Sequence, residues 1–222
     1  MDFYADNQGG MTGGQSRAGM PPNFEFEIVR VLLDGTATFI HAIHEPDEGG
    51  EVWLTMSLVR AGTGGRYSVR RQVTSRFRVA DCLCLALAAA KYPTGDPADT
   101  ETNKARITEF IDTVVLGDHP ERIDEFVDRE LFVSHTPGSC CRPEGLDTLL
   151  MRRRPRKGLV YHGIDDQIGH GNFVAVFSCF DEGGETFCAC DLFRMGEGRI
   201  VEHWDVVERV ERHSVAHNDD AY

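Results

Sequence analysis

The chain has 222 residues, 41% of them hydrophobic, and a formal charge of −13. That charge would repel nucleic-acid phosphates and anionic membrane surfaces, so neither is expected as a partner. No run of about 18 apolar residues is present and the start lacks the basic and apolar regions of a signal peptide, so a cytoplasmic protein is expected. The length allows one good domain with an extension, or two small domains.

In chain order, residues 1–20 are rich in Gly, Asn, Gln and Ser without periodicity, and disorder is expected there. Within them Met11-Thr12-Gly13-Gly14-Gln15 resembles part of an expression tag. Residues 24–73 read as a meander of about four strands, with turn signals at Asp34-Gly35, Gly49-Gly50 and Gly62 to Gly65. Val79 to Lys91 has the Ala and Leu content of a helix. A linker is expected at 93–102, where Pro93, Gly95, Asp96 and Pro97 cluster.

Ile107, Phe110, Ile111, Val114 and Val115 recur at the spacing of one helix face. Gly117 and Asp118 end that helix. Pro120 suits the first turn of a second one, with Ile123, Phe126 and Val127 inward. A third is expected around Leu146, Leu149 and Leu150. Four strands follow, at 159–164, 173–180, 185–194 and 199–207, and the tail from Glu211 is polar.

The last two strands carry the chemistry. A Gly196-Glu197-Gly198 turn joins them, and side chains alternate across each strand. His203 and Asp205 therefore share one face, with Glu202 and Trp204 on the other. Asp191 shares its face with Phe187, Ala189 and Phe193. Carboxylates in strand interiors are costly unless they have a partner or line a cavity. Asp205 also has a purely structural reading, as an ion pair with Arg194 or Arg199. The cysteines number seven and form no CxxC, which fits buried thiols in a reducing compartment. The spacing of a structural zinc site is absent. Arg152 to Lys157 reads as a solvated loop, or as a clamp for an anionic group.

The two β-rich parts look alike. Residues 34–41 set against 170–177, so that Ile40 falls on Val176 and His41 on Phe177. Ser57 falls on Asp191, Arg70 on His203 and Gln72 on Asp205. Asp191, His203 and Asp205 do not persist in the first copy, so any chemistry is expected in the second. The first copy, placed at 22–92, is expected to pack on the main domain or to extend it.

Residues 103–210 resemble the SnoaL-like polyketide cyclase family of the nuclear transport factor 2-like (NTF2-like) superfamily. The resemblance rests on the helix with Phe110, on Phe132-Val133-Ser134-His135-Thr136-Pro137, on Gly171 to Val176, and on the Asp191–Arg194 and Glu202–Asp205 segments. It implies an α+β cone, with three helices on a curved, mostly antiparallel sheet around a deep apolar pocket. It also implies a homodimer through the sheet and activity without cofactor or metal. The substrate would be a small, apolar, oxygenated molecule, and the reaction a cyclisation, isomerisation or hydrolysis. On this reading Asp205 is the principal acid/base, Asp191 holds a partner or a substrate oxygen, and His203 tunes Asp205. His135 donates to the substrate from the pocket mouth, while Phe177, Phe187, Phe193 and Val207 line the pocket. An Asp among apolar side chains should have a raised pKa, which suits proton transfer. The alternative is a non-catalytic ligand-binding or protein-interaction module on the same scaffold.

Overall fold

The computed structural model describes residues 25–45, 51–62, 64, 66–78, 92–117, 119–136 and 158–210. The expectations for 1–20, 79–91, the third helix, Arg152 to Lys157 and the tail from 211 fall outside them. So do Cys82, Cys84, Cys140 and Cys141.

The first part is a four-stranded antiparallel meander: β1 (Glu25–Asp34), β2 (Ala37–Glu45), β3 (Glu51–Ala61) and β4 (Tyr67–Arg78). The β1–β2 turn follows the Asp34-Gly35 signal, with Gly35 in the left-handed region at φ 58°. The chain then enters α1 (Thr100–Phe110) through a 3₁₀ turn at Pro97–Asp99. The Asp96 carboxylate caps that turn by accepting from the Ala98 amide at 2.9 Å, so the expected linker already holds the helix start. α1 runs on as a π-helical turn, Ile111–Val115. Ile107, Phe110, Ile111, Val114 and Val115 are all buried, as their spacing requires. Pro120 opens a short 3₁₀ turn that leads into α2 (Ile123–Phe126), with Ile123, Phe126 and Val127 buried. Two α-helices are thus present among the described residues, of the three expected within 103–210; the third of these and the expected helix at 79–91 lie outside them.

The second sheet has five strands in the order β5-β9-β8-β7-β6. β5 (Val133–Ser134) lies parallel to β9, while β6 (Leu159–His170), β7 (Phe173–Glu182), β8 (Glu185–Gly196) and β9 (Arg199–Val210) form an antiparallel meander. Register shifts in β6 and an extra residue in β9, between the pairs Arg194–Glu202 and Met195–Ile200, interrupt the ladder and bend the strands.

Each face of this second sheet is covered. On one face Val174, Val176, Phe193, Met195 and Ile200 pack against the buried side of the helices. On the other, Phe173, Ala175, Phe177, Leu192, Trp204 and Val206 pack against the β1–β4 sheet, chiefly its Leu32, Phe39, Met56 and Leu58. The molecule is a three-layer stack of sheet, sheet and helices, an α+β arrangement. On the outer face of the β1–β4 sheet Phe26, Ile28, Val31, Leu33 and Val69 are exposed.

The cysteine expectation is corrected in one respect. Cys179 and Cys188 stand directly opposite each other on β7 and β8 and form a disulfide. Direct cross-strand pairing brings two side chains together, and sequence spacing alone does not report it. Cys190 is a buried thiol.

Candidate active site

The site forms where β8 and β9 turn one face to the helices. Asp191 pairs directly with Asp205, and Phe193 with His203. Side-chain alternation puts all four on the helix side, with Val176 beside Asp191 on β7. The three polar groups are sealed from solvent: His203 is 0% exposed, Asp205 3% and Asp191 5%. His203 Nε2 lies 3.0 Å from Asp191 Oδ1. With Asp191 ionised, Nε2 carries the hydrogen and donates it, and the lone pair of a neutral ring stays on Nδ1. Nδ1 is buried and has no hydrogen-bond partner among the described residues. The Phe193 ring, 5.0 Å from the imidazole between centroids, closes one side.

The arginines considered as structural partners for Asp205 are engaged elsewhere. Arg194 Nε and Nη2 donate to the two oxygens of Glu202, at 3.2 and 2.9 Å, and Arg199 pairs with Asp128. Beyond Asp205 the same face continues through Ala189, Val207 and Phe187, where the Phe187 ring stacks on Phe180 at 5.3 Å. Phe187, Phe193 and Val207 thus share the face of the acidic groups.

Two predicted site residues do not. Phe177 pairs with Cys190, one position out of phase with Asp191, and its ring meets Phe39 of the first sheet at 6.2 Å. A one-residue step on a strand exchanges faces, so Phe177 lies between the sheets. His135 follows β5 alongside β9 and stacks on Trp204, 4.5 Å between centroids. Trp204 points away from Asp205, so His135 does too.

His135 belongs to a second buried polar group, on the sheet–sheet side, that the sequence reading did not assemble. The Arg30 guanidinium lies 4.5 Å from the Phe173 ring centre and 4.6 Å from that of Trp204. Arg30 Nη1 lies 3.4 Å from His41 Nδ1. His135 Nε2 is 3.8 Å from Glu202 Oε2, and Arg194 also covers the Tyr92 ring at 4.5 Å. Burial lowers the Arg30 pKa to about 10, with Glu202 acting against the fall. Burial and the Arg30 charge push His41 down to about 3, so it is neutral. Burial acts to raise Glu202, but His135 and Arg194 outweigh it and hold the carboxyl below its usual range. The signal in the sequence was Arg30 and His41 at inward positions of otherwise apolar strands.

No family model matches the chain, and no curated protein matches it. Solved structures do. Wild-type IdmH from Streptomyces antibioticus, a candidate polyketide cyclase, is 19% identical; the match covers 49% of this chain and 91% of that one, with a TM-score of 0.36. An LEH-like epoxide hydrolase of M. tuberculosis is 20% identical, over 50% of this chain and 85% of that one, TM-score 0.40. An NTF2-like protein of unknown function from Mesorhizobium loti is 16% identical, over 53% and 97%, TM-score 0.40. Each likeness covers about half of this chain at low identity. Among the described residues no helix is long and apolar enough to cross a membrane.

Proposed function

We propose that Asp191, His203 and Asp205 form the acid/base centre of a cofactor-independent enzyme. It would cyclise, isomerise or hydrolyse a small, apolar, oxygenated molecule. One observation carries this reading: an imidazole held by one carboxylate beside a second carboxylate, all three buried on the helix-facing side of the sheet. Burying such groups together is costly, and a chemical role on a substrate accounts for that cost.

On this reading the three groups divide the labour. Asp191 orients His203 and fixes which ring nitrogen bears hydrogen. His203 Nδ1 and Asp205 would then exchange protons with the substrate, one as base and the other as its acid complement. Phe193, Phe187 and Val207 supply the apolar surface along the same face. A dry setting strengthens each hydrogen bond to a developing alkoxide or enolate.

The natural substrate need not be identified for the test. The full chain is incubated in D₂O with a panel of cyclic enones and β-ketoesters, and in ¹⁸O-water with terpene epoxides. Mass spectrometry then reads deuterium at the α-carbon or ¹⁸O in a diol. Incorporation by the wild type and its loss in Asp205→Asn support the proposal. Ligand binding with no incorporation anywhere in the panel, and identical behaviour of Asp205→Asn, would leave a binding module instead.

A further inference from the structure

The two sheets face each other through a pseudo-two-fold relation. Both are meanders of matching order, and their cross-strand pairs correspond: Ile40–Ser57 and Ser57–Gln72 in the first, Val176–Asp191 and Asp191–Asp205 in the second. The correspondence sets Leu33 with Gly169 and Asp34 with His170. In the structure the Leu33 amide donates to His170 Nδ1 at 3.1 Å, and the Gly169 amide donates to Asp34 Oδ2 at 3.0 Å. Each bond is the other with the sheets exchanged. That reciprocity, i to j and j to i, is the signature of an isologous contact between two copies.

Other contacts across the interface obey the same rule. β1 lies against β6 and β4 against β9, while β3 touches β9 as β4 touches β8. The core between the sheets is filled by corresponding pairs: Leu32 and Ile168, Met56 and Cys190, Leu58 and Leu192. Asp166 of the second sheet binds Arg60 and Arg71 of the first, at 3.1 and 3.3 Å. Its counterpart Arg30 lies against Trp204, with Arg194 close enough to act on its charge, and these are the counterparts of Arg71 and Arg60. The positions are symmetric although the chemistry has diverged.

The correspondence fails at one informative place. Arg70 is the extra residue of a bulge in β4, so the position facing Val59, equivalent to that of His203, holds Val69. Ser57, Val69 and Gln72 therefore replace Asp191, His203 and Asp205. In the second unit that face is covered by helices, whereas in the first Val69 is 53% exposed.

The geometry points to the β1–β4 sheet as a built-in partner. It takes the place that a second copy of the β6–β9 sheet would occupy, so this sheet face is closed to another chain and the molecule carries a single acidic site. This replaces the homodimer through the sheet implied by the family resemblance, because the face in question is already filled from within.

Sedimentation of the full chain between about 5 and 200 μM is the first test, a range in which a sheet-sized interface with micromolar affinity would reveal itself. A single species at the monomer mass of 24.8 kDa is expected. If a dimer forms, ¹³C-labelled and unlabelled chains are refolded together, and isotope-filtered NOEs from the Phe177 ring decide which face it uses. NOEs from Phe177 only to Phe39 of its own chain uphold the proposal and place the dimer elsewhere. NOEs from Phe177 to the other chain overturn it.

Discussion

Lowering the pH from 7 to 5 should weaken this protein through one residue between the sheets, His41. Its imidazole is 0% exposed, its Nδ1 faces Arg30, and His135 adds a second repelling group. Its pKa falls from 6.5 to about 3 in the folded state. Between those values the unfolded chain binds a proton that the folded chain refuses, so stability rises with pH and is lost on acidification. For a single group with these two constants, the loss between pH 7 and pH 5 is about 2 kcal/mol. Glu202 and Asp34, whose pKa values are lowered, act in a lower window: their contribution is full above the unfolded carboxyl pKa and is lost as pH falls through the folded one. The assay is urea unfolding at pH 7, 6 and 5 for the wild type and His41→Phe, the residue that Phe177 supplies at the corresponding position. The wild type should lose about 2 kcal/mol more than the variant across that range. Parallel slopes for the two proteins would refute the assignment.

Four further outcomes are expected. Asp205→Asn should abolish incorporation in the isotope assays while a bound ligand still perturbs the NMR spectrum. Gly171→Ala should cost about 2–4 kcal/mol in urea unfolding, from a left-handed φ of 58° and a clash of the new Cβ with the Gly95 backbone at 2.5 Å. The corresponding Gly35→Ala, with the same φ and nothing within 4 Å, should cost only about 1 kcal/mol. Arg30→Met should lower unfolding free energy by about 1–2 kcal/mol, through loss of the two ring contacts, and should shift the Trp204 emission.

Much of the site was legible because strand alternation is a local property. Asp191, His203 and Asp205 fall on one face of a hairpin whose turn is marked by Gly196 and Gly198, and no distant contact is needed to see it. The helix with Ile107, Phe110 and Val114 was legible for the same reason, with a different period. Phe177 and His135 were misplaced because their sides depend on pairing. Phe177 required the β7–β8 register, and His135 the parallel docking of a two-residue strand beside β9. The partners of Arg199 and Arg30, Asp128 and Trp204, are similarly choices among distant residues, which no short window of sequence ranks.

By itself, the amino-acid order determined the period of each element, the turns, the likeness of the two meanders and the grouping of acidic and imidazole side chains on one strand face. Only the tertiary structure decided which face the helices cover and which meets the first sheet. It also seated Arg30 between Phe173 and Trp204, and it filled the sheet face from within the chain. The physical reason is that alternation is dictated by backbone geometry one residue at a time. Which face becomes the inside depends instead on where distant apolar surface can be buried most completely.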